Sequence, residues 1–226
     1  MTSRIQFLRV VRTLCTFCFA LILSFAFILP VQAKSTVNSF PDLNTFIESV
    51  RNGDANLLRG VYVYDLMAFS VIQQPAGSPG FVSQEANQLT EFGMAAEAGN
   101  VGLLAHNYLA GTSFSGLTNG DVVILVYGDG HTENYLVTNV LQYQALDPYN
   151  PYSDFKDLQR QTTLSAAEVF GQVYRGERHV TFQTCIQSDG NSSWGRLFVI
   201  AEPVTSQVNP SADTYTGNTQ RDSSRN

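Results

Sequence analysis

Two β-rich runs, Val122 to Tyr127 and Tyr135 to Leu141, flank Gly128-Asp129-Gly130. Glycine and aspartate tolerate the backbone of a tight reversal, and β-branched and aromatic side chains suit a pleated surface, so this stretch predicts a β-hairpin. The same pattern recurs along the chain. Val61-Tyr62-Val63-Tyr64, Met67 to Ile72, Val101 to Ala105, Val180 to Ile186 and Leu197 to Ala201 each read as a short strand. Helical signals are scarcer. Leu43, Phe46, Ile47 and Val50 recur at helical spacing behind Pro41, which predicts a short helix over 42–51. Ser165-x-x-Glu168 has the form of a capping box and predicts a second helix to about Tyr174. Gln73 to Gly80 reads as a loop, Met94 to Ala98 is too short to predict as a helix, and Asp147 to Asp157, with two prolines and three aspartates, reads as a long surface loop. Many short strands with one or two short helices predict an all-β barrel or sandwich.

The 226 residues are 44% apolar and only 14% charged, which suits a chain that buries a core and argues against a disordered one. A net charge of −6 without a Lys/Arg-rich block argues against a nucleic-acid partner, because phosphate contacts need clustered positive charge.

The N-terminus has a different character. Arg4, Arg9 and Arg12 precede a charge-free run from Leu14 to Leu29; Pro30 then breaks the segment, and Val31-Gln32-Ala33 has the shape of a signal-peptidase site. The run falls between a signal h-region of about 7–15 residues and a spanning helix of about 20. We read residues 1–33 as an export leader cleaved after Ala33, with an uncleaved membrane anchor through 14–29 as the alternative. Cys15 and Cys18 lie inside it and read as apolar filler. Residues 34–59 then form a helical lead-in and 60–203 the barrel. The stretch 204–226, dominated by Ser, Thr, Asn, Gln and Asp, reads as a disordered polar tail.

Beyond the leader only Cys185 remains, so no disulfide framework holds this fold. A lone thiol in an exported protein is a buried structural residue, half of an intermolecular disulfide, or a nucleophile. Its neighbours bear on the choice. His106 ends the apolar run Gly102 to Ala105, and Cys185 ends Thr181-Phe182-Gln183-Thr184. Arg196 opens the last strand after a Gly/Ser/Asn-rich loop, Ser188 to Gly195, long enough to bring it beside Cys185. A thiolate needs a cationic neighbour, and a leaving amine needs an acid. His106 and Arg196 are candidates for both. His179 begins the cysteine strand and is the competing histidine, whereas His131 follows the Gly-Asp-Gly turn and reads as exposed.

The wording around these residues goes further. Gly99-Asn100-Val101-Gly102-Leu103-Leu104-Ala105-His106-Asn107, then Phe114, Leu117 and Gly120-Asp121, resembles the stretch around the catalytic histidine of the sortase family. Thr181-Phe182-Gln183-Thr184-Cys185 resembles that family's Thr-Leu-x-Thr-Cys motif, and Arg196 with Leu197 to Ala201 resembles the arginine opening its last strand. The resemblance covers roughly Gly60 to Pro203 and is weak before Gly99. Phe182 replaces the usual Leu, and Asn107 stands where many members carry Arg, which leaves the subclass open.

The resemblance implies a closed eight-stranded β-barrel and a cysteine transpeptidase without a cofactor. Cys185 would be the nucleophile, His106 the acid and base, and Arg196 the oxyanion or substrate-backbone partner. Thr184 would orient substrate through its hydroxyl, or simply be a strand former, and Trp194 would shape a substrate groove or pack. The partners implied are a secreted protein carrying a sorting signal and an amine acceptor, such as a cell-wall peptide or a pilin-like lysine, at the extracellular face of the membrane. Some sortases use calcium, but Asp147, Asp154 and Asp157 lack EF-hand spacing and read as a solvated loop. Asn191-Ser192-Ser193 is a glycosylation sequon, of consequence only in a host that modifies it. The competing readings are a cysteine peptidase that only hydrolyses, and a non-catalytic surface-binding module on the same barrel.

Overall fold

The computed structural model describes residues 40–204; the leader and nearly all of the polar tail lie outside the described residues. Helix α1, Leu43–Val50, is opened by Asp42, whose carboxylate accepts from the Thr45 amide at 3.0 Å. Three strands follow, β1 Leu58–Val63, β2 Met67–Gln73 and β3 Gln88–Glu91, then the short helix α2, Gly93–Glu97, and β4 Val101–Leu104. A 3₁₀ helix at Ala110–Gly116 leads to β5 Val122–Tyr127 and β6 Thr132–Ala145. The short strands β7 Phe155–Asp157 and β8 Thr163–Leu164 precede α3 Ala166–Tyr174, and β9 Val180–Ser188 and β10 Asn191–Pro203 complete the domain.

Eight strands close on themselves in the order β10-β9-β4-β3-β2-β1-β5-β6, with β6 pairing back to β10. β6 closes the ring because it is long: Thr132–Leu136 pair with β5, and Tyr135–Gln144 pair with β10. Strands β7 and β8 extend outward from the far end of β6. Most neighbours are antiparallel; β2–β3 and β4–β9 run parallel. The expected all-β barrel is therefore present, and among the described residues it carries three α-helices and a 3₁₀ helix where one or two helices were expected.

Period-2 alternation sorts each strand into an inner and an outer face. Val101, Leu103 and Ala105 on the β4 segment, Val180 and Phe182 on β9, and Leu197, Val199 and Ala201 on β10 fill the barrel. Their alternates therefore face outward. On one side of the barrel, Phe46 and Val50 of α1 cover Tyr62, Ile124 and Val126. On another, Val169, Val173 and Tyr174 of α3, with Phe155 of β7, cover Tyr143 and Phe198. Ser165 caps α3 as expected, its hydroxyl accepting from the Glu168 amide while the Glu168 carboxylate accepts from the Ser165 amide at 2.7 Å.

The structure corrects several sequence expectations. The barrel begins at Leu58 rather than 60, because Leu58 is buried and pairs with Tyr127. Residues 147–157 are not loop throughout: Phe155–Asp157 pair with β6, and Asp157 is buried. The Asp157 carboxylate accepts from the amides of Arg160 and Gln159, both at 2.8 Å, which holds its pKa below the usual carboxylate value against the opposing effect of burial. The loop expected from Ser188 to Gly195 is a two-residue reversal at Asp189-Gly190, both at positive φ. Pairing resumes at Asn191↔Ser188 and then at Gly195↔Ile186, so Ser192, Ser193 and Trp194 stand opposite the single residue Gln187 and arch out of the ladder.

Candidate active site

The centre of the site is β9. On its outer face, Cys185 stands directly opposite Arg196 of β10 in an antiparallel pair. Directly opposed residues project to the same face with Cβ atoms about 4.5–5.5 Å apart, so the two side chains leave the barrel wall side by side. On the other flank, β4 runs parallel to β9 with Leu104↔Gln183, and the Ala105 amide continues the ladder to the Gln183 carbonyl at 3.2 Å. Two residues further along this register, His106 comes level with Cys185. Three neighbouring strands thus bring the three residues to one end of the outer wall. All three are half-buried, within reach of both protein and solvent.

Beyond His106 the chain turns sharply. The His106 carbonyl accepts from the amides of Leu109 at 3.0 Å and Gly111 at 3.1 Å. Gly111 packs so closely that an added Cβ would meet the Thr184 hydroxyl, the His106 carbonyl oxygen at 2.7 Å and the Ala105 carbonyl oxygen at 3.0 Å. Backbone oxygens cannot swing aside. Gly111→Ala is therefore expected to displace the turn that carries His106, at a cost of about 1–3 kcal/mol, the usual range for overpacking. Thermal unfolding measures the loss; an unchanged midpoint would show that the turn yields freely.

Thr184 does not lie on the outer face. It is buried, and its hydroxyl donates to the Ala105 carbonyl at 2.8 Å, tying β9 to the end of β4. The hydroxyl proton is thus engaged in a strand-to-strand tie. Trp194 is half-buried on the arch before Arg196. The arch itself is anchored twice: Asn107 donates to the Ser192 carbonyl at 3.0 Å, and Arg196 Nη1 donates to the Ser193 and Gly195 carbonyls at 3.0 and 2.8 Å. Asn107, which sequence reasoning treated only as a departure from a family pattern, links the histidine turn to the arginine strand.

His106 is held by residues the sequence did not flag. Its Nε2 lies 2.7 Å from Gln84 Nε2, and its ring stacks on Tyr108 with centroids 5.1 Å apart and planes 18° from parallel. No hydrogen bond joins His106 to Cys185. Nothing local in the sequence marks Gln84, which is exposed in a loop; only the fold brings it to the histidine.

The competing histidine is elsewhere. His179 precedes the first residue of β9, six positions from Cys185, or about 20 Å along a strand at 3.3 Å per residue. It is buried, with ring nitrogens 2.7 and 2.9 Å from the carbonyl oxygens of Glu177 and Val173. His131 is exposed, as expected, and stacks on Tyr127 at 4.3 Å beside the Asp129 carboxylate. Among the described residues no helix is long and apolar enough to cross a membrane.

A closed all-β barrel carries a cysteine and an arginine on paired strands, with a histidine just beyond the end of the neighbouring strand. No protein-family model matches the chain. No curated protein matches it either. Among solved structures it is similar to sortase A of Listeria monocytogenes, at 12% identity and a TM-score of 0.43, over 67% of this chain and 89% of that one. It is also similar to a sortase D5 transpeptidase of Clostridium perfringens, at 14% identity and a TM-score of 0.40, over 72% and 87% of the two chains. A third similar structure is sortase C1 of Streptococcus suis, at 12% identity and a TM-score of 0.43, over 72% and 78%. At such identities and superpositions, this chain's own residues must carry any reading of function.

Proposed function

We propose that this chain is a sortase-like cysteine transpeptidase acting on exported proteins. The observation that carries the reading is the direct pairing of Cys185 with Arg196 on the outer wall of the barrel, with His106 level on the other flank of β9. A guanidinium keeps its charge at any working pH, so the strand beside the nucleophile carries a permanent cation. The half-exposed outer face admits an extended peptide, which a thiol inside the barrel would not.

The chemistry follows in two displacements. The Cys185 thiolate adds to the carbonyl carbon of the scissile amide, and the C–N bond breaks as His106 delivers a proton to the leaving amine, which leaves a thioester on Cys185. An incoming primary amine then adds to the thioester carbon. His106 takes its proton, the C–S bond breaks, and the new amide departs with Cys185 returned to the thiolate. Each addition places negative charge on the carbonyl oxygen. Arg196 supplies the compensating cation, its Nη1 fixed by the Ser193 and Gly195 carbonyls so that the guanidinium is oriented in advance. The polypeptide donor is a secreted protein carrying a sorting signal, and the acceptor is a cell-wall or pilin-like amine. The leader places the enzyme at the outer face of the membrane, cleaved or anchored through residues 14–29.

The test is mass spectrometry of Cys185 in protein recovered from the native cell surface. An acyl adduct on Cys185 that is released by hydroxylamine or by an added primary amine is expected. A thiol that remains unmodified, with no adduct trapped from a cell-surface extract, would overturn the reading in favour of a binding module.

A further inference from the structure

His106 Nε2 already has a partner. We infer that Gln84 and Tyr108 form a positioning clamp that fixes the His106 ring and decides which of its nitrogens carries the proton. The inference rests on the transpeptidase reading for its consequence in catalysis, though not for its test.

The loop before β3 is pinned where it reaches the histidine. Ser83 is buried, its amide donates to the Thr90 hydroxyl at 2.9 Å, and its hydroxyl donates to the Gln88 side chain at 2.7 Å. The next residue, Gln84, is exposed, yet its backbone position is set by that anchor. Its amide group bridges two partners. The Tyr108 hydroxyl donates to Gln84 Oε1 at 3.1 Å, which turns the amide NH₂ toward His106 Nε2 at 2.7 Å. An NH₂ group is a donor only, so the ring nitrogen it meets must be the acceptor. A neutral imidazole carries its single proton on the other nitrogen. The clamp therefore holds neutral His106 with its proton on Nδ1, for which the described residues provide no hydrogen-bond partner. Stacking on Tyr108, whose hydroxyl is the same group that orients Gln84, fixes the plane of the ring.

The clamp also serves the charged ring. When His106 gains a second proton, Nε2–H becomes a donor. Rotation of the Gln84 amide by 180° then presents Oε1 to the ring and the NH₂ group to the Tyr108 oxygen, which accepts as readily as it donates. Both partners are neutral and amphoteric, so one geometry accommodates the ring as acid and as base. The proton gained and lost between these two states is the one on Nε2, so in the two displacements Nε2 delivers and takes it as the Gln84 amide gives way.

The experiment is long-range ¹H–¹⁵N spectroscopy of ¹⁵N-histidine-labelled protein across pH, with the His106 signal assigned among the three histidines by a His106→Asn variant. The native protein is expected to show neutral His106 as the Nδ1–H tautomer. Gln84→Ala should relax this to a mixture, and Tyr108→Phe should do so in part. Gln84→Glu leaves only acceptors at the ring, so neutral His106 should turn to the Nε2–H tautomer. A native neutral ring protonated on Nε2, or a tautomer indifferent to Gln84, overturns the clamp. The readout needs no substrate. A protein that forms Cys185 adducts but fails this test loses only the clamp, and one that passes it but forms no adduct loses only the transpeptidase reading.

Discussion

Cys185→Ala is expected to reduce acyl-adduct formation below detection while leaving the barrel folded. Beyond residue 33 the chain has no second cysteine, so no other thiol of the barrel can form the thioester. The fold does not depend on the sulfur. Cys185 faces outward, belongs to none of the buried apolar clusters, and makes no disulfide. Surface substitutions of this kind usually change stability by about 0.5 kcal/mol or less. Unfolding should therefore coincide with that of the native protein while intact-mass spectra lose the adduct. An adduct persisting on the alanine variant would place the nucleophile elsewhere.

His106→Ala should be the next most damaging substitution. Removing a positioned general acid and base typically costs about 10²–10⁴-fold. Two steps of the proposed sequence use this ring, one to protonate the leaving amine and one to deprotonate the acceptor. Rapid-quench measurement of thioester formation and of its discharge to an added amine separates them, and both are expected to slow. His179→Ala should give the opposite pattern. That ring lies about 20 Å along the strand from Cys185, bonded to backbone carbonyls, so stability should fall and the chemistry should hold. If His106→Ala retained native rates while His179→Ala lost them, the assignment would be reversed.

The local signals in the sequence were strong where one element decided them. The Gly-Asp-Gly turn between two β-rich runs gave a hairpin because turn backbone and strand propensity act over a few residues. The Ser165 capping box gave α3 because both of its hydrogen bonds are made within four residues. The apolar run Val101 to Ala105 and the β-rich run Val180 to Ile186 gave β4 and β9, because strand propensity also acts over a few residues. The shape of the β9–β10 connection was not legible. A Gly/Ser/Asn-rich segment suits a long loop, but a two-residue turn followed by an arch suits it equally, and hydrogen bonds from Asn107 and Arg196 hold the arch. The short strand at Phe155–Asp157 was hidden for a similar reason: its pairing with β6 overrides a proline-rich context.

The sequence by itself determined the all-β character and the candidates His106, Cys185 and Arg196. These follow from short β-rich runs and residue chemistry, which act along the chain. Tertiary structure alone decided that β6 would pair with both β5 and β10 and so close the ring. It also decided that the Thr184 hydroxyl would tie β9 to β4, that Gly111 would pack beneath the histidine turn, and that Gln84 would reach His106. Those contacts join residues far apart in sequence. Their register is set by which strands pair, and no local propensity encodes that.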